Sequence, residues 1–245
     1  MDKRFWGILI LVVVVLGGIF WITSGNKANA PSNSGQPTNH VQGQNQYGIT
    51  LVEYGDYQCP YCGEYYTTVK QVAAEYSPYI KFQFRNLPLT QLHPNAFSGA
   101  RAAEAASLMG QFWQMHDVLY EANVEYYASN EKIASWISSS DPLSYFDQYA
   151  QQLGLNVSQF NTDYASSSVN NSINADVAAF AKTGLQEATP TFILNGKQIQ
   201  PAPSVSSFEQ AINAVIKQKG FTPPASTSSS SSSTSTATPG QSVQK

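Results

Sequence analysis

Ile49-Thr50-Leu51-Val52-Glu53-Tyr54-Gly55-Asp56-Tyr57-Gln58-Cys59-Pro60-Tyr61-Cys62 runs from an apolar stretch into a pair of thiols. Residues 49–54 place apolar side chains on both faces of an extended segment, as a strand buried in mid-sheet does. Gly55 and Asp56 interrupt it. From Pro60 the period changes: Cys62, Tyr65, Tyr66, Val69, Val72, Ala73 and Tyr76 fall on one helical stripe and predict a helix from Pro60 to Tyr76. Pro60 suits its first turn, where a missing N–H has no partner to lose. The sulfurs therefore sit at a strand-to-helix junction, where a helix N-terminus stabilises a thiolate. The stripe makes them unequal, with Cys59 accessible ahead of the helix and Cys62 half-buried on its core face. The chain has 2 cysteines, both in this Cys-x-x-Cys, so no disulfide framework staples the fold. The chemistry such a pair supports is dithiol–disulfide exchange.

Downstream, Ser77-Pro78 ends the helix, and Ile80, Phe82 and Phe84 alternate with Lys81, Gln83 and Arg85 as a half-buried strand. A helical block follows from Pro94 to about Gly184, with segments at 96–109, a stripe from Phe112 through Met115, Leu119 and Ala122 to Tyr126, and segments near 142–154, 156–166 and 168–183. Thr191-Phe192-Ile193-Leu194 then reads as a strand that Asn195-Gly196 turns into Lys197-Gln198-Ile199. Phe208, Ala211, Ile212, Val215 and Ile216 mark a last amphipathic helix. The order is strand–helix–strand, helical block, hairpin, helix: an α/β domain over 47–221 with an insertion at about 94–184.

The uncharged run 5–22 follows Lys3 and Arg4, and as a helix would rise about 27 Å, enough to cross a bilayer core. Trp6 and Trp21 stand at its ends, where interfacial aromatics belong. Residues 1–23 are read as an uncleaved anchor with the domain on the extracytoplasmic side. The alternative is a signal peptide cleaved after Ala28-Asn29-Ala30, giving a secreted protein. Residues 24–46, rich in Asn, Gln, Ser, Gly and Pro, are expected to be a flexible linker, and 222–245, rich in Ser and Thr, a disordered tail. A net charge of −3 gives no electrostatic footprint for nucleic acid.

Several stretches together resemble the DsbA-like thiol–disulfide oxidoreductases, thioredoxin-fold proteins with a helical insertion. They are Glu53 to Cys62, Arg85-Asn86-Leu87-Pro88-Leu89 with His93-Pro94, Phe112-Trp113-Gln114-Met115-His116-Asp117, and Ala188-Thr189-Pro190-Thr191-Phe192 with Asn195-Gly196. The similarity spans roughly 47–219. It implies that Cys59 attacks and carries the mixed disulfide while Cys62 resolves it, with no cofactor beyond the Cys59–Cys62 disulfide. It also implies that Pro190 is cis and faces the sulfurs, leaving backbone at Thr189 to pair with an extended substrate beside Tyr61. Glu53 matches the position of a carboxylate beneath the site, a proton acceptor for Cys62; the plain alternative is a strand-end glutamate reaching solvent. Exported polypeptides bearing cysteines are the implied substrates, and a membrane partner would reset the dithiol.

Export to an oxidising compartment favours the oxidising direction. Tyr61 stands where strongly oxidising members carry a histidine, so a less oxidising pair is expected, and a reductase or isomerase of the same fold is the alternative. Two readings lie outside this class. One is a non-catalytic binding or chaperone module. The other is a zinc site completed by His93 and His116, disfavoured because the Cys-x-x-Cys is neither repeated nor joined by a close histidine pair. A core-facing His116 and a loop or cap His93 are the simpler assignments.

Overall fold

The computed structural model describes residues 35–129 and 133–224. Five strands form one mixed sheet in the order β1-β3-β2-β4-β5: β1 His40–Gln42, β2 Ile49–Gly55, β3 Ile80–Asn86, β4 Thr191–Leu194 and β5 Lys197–Ile199. Helix α1, Pro60–Glu75, crosses from β2 to its parallel neighbour β3. The insertion between β3 and β4 contains α2 Ala96–Leu108, α3 Phe112–Ala128, α4 Leu143–Gln152, α5 Val157–Tyr164 and α6 Ser167–Ala181, and α7 Val205–Gln218 follows the hairpin. This is a thioredoxin fold with a helical insertion.

Alternation along β2 sorts its side chains between two faces. Ile49 and Leu51 join the main core with Val69 and Val72 of α1, Met115 and Leu119 of α3, and Phe208 and Ile212 of α7. Glu53 is next in that row, a carboxyl on an otherwise apolar face. Tyr54 points the other way and packs with Leu87 and Phe180 of α6. The β4–β5 turn takes the form its sequence demands, with Asn195 at φ 48° and Gly196 at φ 81°.

The linker expectation for 24–46 fails over its second half. His40–Gln42 pairs antiparallel with Phe82–Phe84, so β3 is an interior strand. The extra pairing also buries Gln83, read as solvent-facing, whose Nε2 donates to Thr38 O at 3.1 Å. What fixes β1 is a polar latch that composition does not reveal. Asp176 of α6 accepts from Thr38 N and Thr38 Oγ1, both at 2.7 Å, and from Asn86 N at 2.9 Å. Beside it His40 Nε2 lies 2.8 Å from Glu104 of α2, and the imidazole stacks on Phe112. The 5–22 run lies outside the described residues, as does the tail from 225 on. Among the described residues no helix is long and apolar enough to cross a membrane.

Thr38→Val keeps shape and removes one donor to a buried carboxylate. It should lower unfolding free energy by about 1–2 kcal/mol, measured by urea denaturation. Unchanged stability would mean that the latch contributes nothing.

Candidate active site

Cys59 is the residue before α1, with φ −68° and ψ 126°, and Pro60 opens the helix. The turn leading to it is organised by Asp56, which is 1% exposed. Its Oδ1 accepts from Gln58 N at 2.8 Å and its Oδ2 from Leu89 N at 3.0 Å. Its backbone carbonyl accepts from Cys59 N at 3.1 Å, and its backbone N–H donates to Cys62 Sγ at 3.5 Å. One residue thus touches both cysteines through its main chain and fastens the turn through its side chain. From the sequence alone Asp56 shows only as a residue that interrupts the strand before the cysteines.

The helical insertion grips the same turn. Asn123 of α3 donates to Tyr57 O at 2.9 Å and Cys59 O at 3.1 Å, and Tyr127 Oη donates to Gln58 O at 3.0 Å. Gln58 Nε2 donates to Ile137 O at 2.8 Å while its Oε1 accepts from Asn95 N. Gly63 permits this approach: a Cβ there would collide with Asn123 Oδ1. None of these partners is visible from local sequence, because they come from α3 and from the segments at Asn95 and Ile137, all far along the chain.

The sulfurs differ in acidity more than in exposure. Cys59 is 3% exposed and Cys62 0%, so the expectation of an accessible Cys59 is corrected: the turn at 188–190 closes over it, with Cys59 Sγ 3.5 Å from Thr189 O. A hydrogen bond from the Cys62 thiol, with help from Thr189 and the Cys62 backbone N–H, lowers Cys59 to about 6 against the opposing effect of burial. A helix terminus alone supplies at most about 2 kcal/mol, or roughly 1.5 pKa units. Hydrogen bonding to the thiolate is therefore the larger cause. Burial, reinforced by the neighbouring Cys59, pushes Cys62 well above the ordinary thiol range. At neutral pH the pair is one thiolate and one thiol.

Glu53 is 3% exposed and lines a cavity of about 220 Å³ between the sheet, α1 and α3, so it is not a strand-end residue in open solvent. Burial raises its carboxyl to about 8, into the range where thiols titrate, and its charge acts on Cys62. Across the sulfurs the Thr189–Pro190 bond is cis. Tyr61, 64% exposed, forms with Tyr65, Thr189, Pro190 and Phe192 the wall of an open cleft of about 400 Å³. His116 lies buried among Tyr57, Phe84, Trp113 and Tyr120, and burial lowers its pKa. His93 instead sits with its Nδ1 2.7 Å from Asp56 Oδ2. The two histidines belong to different environments. Among the described residues no group of three His, Cys, Asp or Glu side chains is arranged to hold a metal.

A family model described as thioredoxin matches residues 35–214, beginning ahead of β1. A thioredoxin-like oxidoreductase from Silicibacter pomeroyi shares the fold with a TM-score of 0.58 at 24% identity, covering 78% of this chain and 99% of its own. Oxidised BdbD from Bacillus subtilis aligns with a TM-score of 0.58 at 22% identity, covering 75% of this chain and 97% of its own. A curated relative, the Na(+)/H(+) antiporter NhaA 3 of Salinispora tropica, is 32% identical over 184 residues, which are 75% of this chain and 26% of the antiporter. The chain thus spans about a quarter of the length of the curated relatives it matches.

Alkylation of Cys59 followed against pH should show a midpoint near 6. Cys62→Ala should raise it by about one unit or more, while Cys62→Ser, which keeps a donor, should leave it nearer 6. Equal midpoints in all three proteins would refute the thiol hydrogen bond as cause. For Glu53 the folded value near 8 lies above that of a free carboxyl, so the folded protein keeps a proton that the unfolded chain has lost. Stability should fall as pH rises from about 4.5 to 8, by on the order of 5 kcal/mol, and Glu53→Gln should flatten that fall. Parallel curves for the two proteins from pH 5 to 8 would show that Glu53 is not held neutral by burial.

Proposed function

We propose that this chain, which belongs to the thioredoxin family and has the fold of its DsbA-like members, is an extracytoplasmic thiol–disulfide oxidoreductase that oxidises cysteines in exported polypeptides. The observation that carries this reading is the placement of the two sulfurs at the start of α1, Cys59 beside Thr189 O and Cys62 fully buried, which sets their acidities apart. In the oxidised protein a substrate thiolate attacks Cys59 Sγ, the Cys59–Cys62 bond breaks, and Cys62 leaves as a thiolate. Glu53, titrating near 8, gives that thiolate its proton, and takes it back when Cys62 is next required as a nucleophile. A second substrate thiolate then attacks the substrate sulfur of the mixed disulfide, and Cys59 leaves. Two electrons pass to the pair, the substrate gains a disulfide, and an acceptor in the membrane takes the electrons.

The leaving group supports the oxidising direction. A low-pKa thiol leaves faster, and stabilising the reduced form raises the potential, with each tenfold in the equilibrium constant worth about 30 mV. Cys59 near 6 is largely thiolate at neutral pH, which favours release of an oxidised product. The substrate lies in the cleft between Tyr61 and Pro190 and pairs with the backbone at Thr189, as a strand adds to an edge. The apolar run at 5–22, with Lys3 and Arg4 before it, supports tethering to the outer side of a membrane. The antiporter activity named for the curated relatives is not transferred to this chain, which matches only part of them.

Oxidation of a reduced two-cysteine peptide by the oxidised protein should proceed with wild type and be abolished by Cys59→Ser. Cys62→Ala cannot form the working disulfide and should not oxidise the reduced peptide. Offered the same peptide in its disulfide form, its Cys59 thiolate should attack one sulfur, release the other as a thiolate and accumulate the mixed disulfide. Insulin reduction without peptide oxidation would assign the reverse direction, and neither reaction would leave a binding module.

A further inference from the structure

Tyr61 brings no positive charge between the sulfurs, and the first basic residue of α1 is Lys70, more than two turns from its start. The acidic residue of the turn acts in the wrong sense. Asp56 is 1% exposed and bonded through its main chain to both cysteines, and its charge opposes ionisation of Cys59. A carboxylate buried against the nucleophile raises the thiol pKa unless a cation cancels it. The loop after β3 supplies one candidate: His93 Nδ1 stands 2.7 Å from Asp56 Oδ2, with its side chain 16% exposed.

Resting on the exchange reading above, we infer that His93 is a positioning residue of the dithiol, whose imidazolium neutralises Asp56 and so keeps Cys59 acidic. The imidazolium takes from a distant loop the part that Tyr61 cannot play. The groups whose charges act on His93 are Asp56 and Cys59, both from the β2–α1 turn. Asp56 also acts on Cys62 of α1 and on Tyr120 and Tyr127 of α3, where the phenols are raised and stay neutral near pH 7. The hydrogen bond that His93 Nδ1–H donates to Asp56 Oδ2 raises the histidine pKa against the opposing effect of burial, so the imidazolium persists to higher pH than in water. Above that pKa the charge is lost, and the field of Asp56 acts on Cys59 without compensation.

Glutamine at 93 can keep an N–H donor to Asp56 but carries no charge, which separates electrostatics from architecture. In the full-length reduced protein, the rate of iodoacetamide alkylation at Cys59 is followed by mass spectrometry from pH 4 to 9. His93→Gln should raise the midpoint by about one unit. A shift from 6 to 7 is roughly fivefold in the glutathione equilibrium constant at pH 7, or about 20 mV toward the reducing side. Asp56→Asn combined with His93→Gln, having neither charge, should move the midpoint back toward wild type. A wild-type midpoint and potential in His93→Gln overturn the inference, whatever His93→Ala does to folding. Alkylation needs no protein substrate, so a wild-type protein that fails to oxidise the peptide, alongside a raised midpoint in His93→Gln, would refute the proposed function and leave this inference standing.

Discussion

The hydrogen bonding of Asp56 is the constraint on which the site depends. A carboxylate fully withdrawn from water must be satisfied from within, and here N–H groups of Gln58 and Leu89 and the imidazole of His93 satisfy it. Those donors come from the turn before α1 and from the loop after β3. One side chain therefore sets the spacing between two crossings of the chain. Its main chain meanwhile meets Cys59 N and Cys62 Sγ, so the sulfurs are placed by the same residue that ties the loops together. Moving either loop would move the sulfurs.

Around this turn, burial and hydrogen bonding push titratable groups in opposite directions. Cys62 and Glu53 are raised chiefly because they are desolvated, while Cys59 is lowered because the Cys62 thiol donates to it. Neither sulfur has this character alone. The buried thiol is a poor acid, which is what keeps its proton available to the other. The insertion enforces the geometry, since Asn123 and Tyr127 hold three successive carbonyl-bearing positions of the turn, Tyr57, Gln58 and Cys59.

Much of this was legible in the sequence because it follows from short-range pattern. The change of period at Pro60 located β2 and α1, the Cys62 stripe located the buried sulfur, and Asn195-Gly196 located the hairpin. The helices of the insertion fall within a few residues of their expected places, for instance 143–152 for a predicted 142–154. What was not legible depends on partners far apart in the chain. His40-Val41-Gln42 is too short to announce a strand, and its latch is Asp176, 138 residues from Thr38. Asp56 and His93 both stand in motif stretches, yet their pairing across 37 positions appears only when the loop folds back. The closure over Cys59 likewise requires Thr189, 130 residues later.

The short strand β1 has a consequence for the whole sheet. Without it the seven-residue β3 would be an outer strand, presenting a row of unpaired N–H and C=O groups. With it, both rims of the sheet are three-residue strands, β1 and β5. So short a rim offers another chain little to pair with, and short edges are one way proteins avoid strand-to-strand aggregation. This sheet therefore leaves an extended strand little edge to pair with away from the cleft where the sulfurs lie.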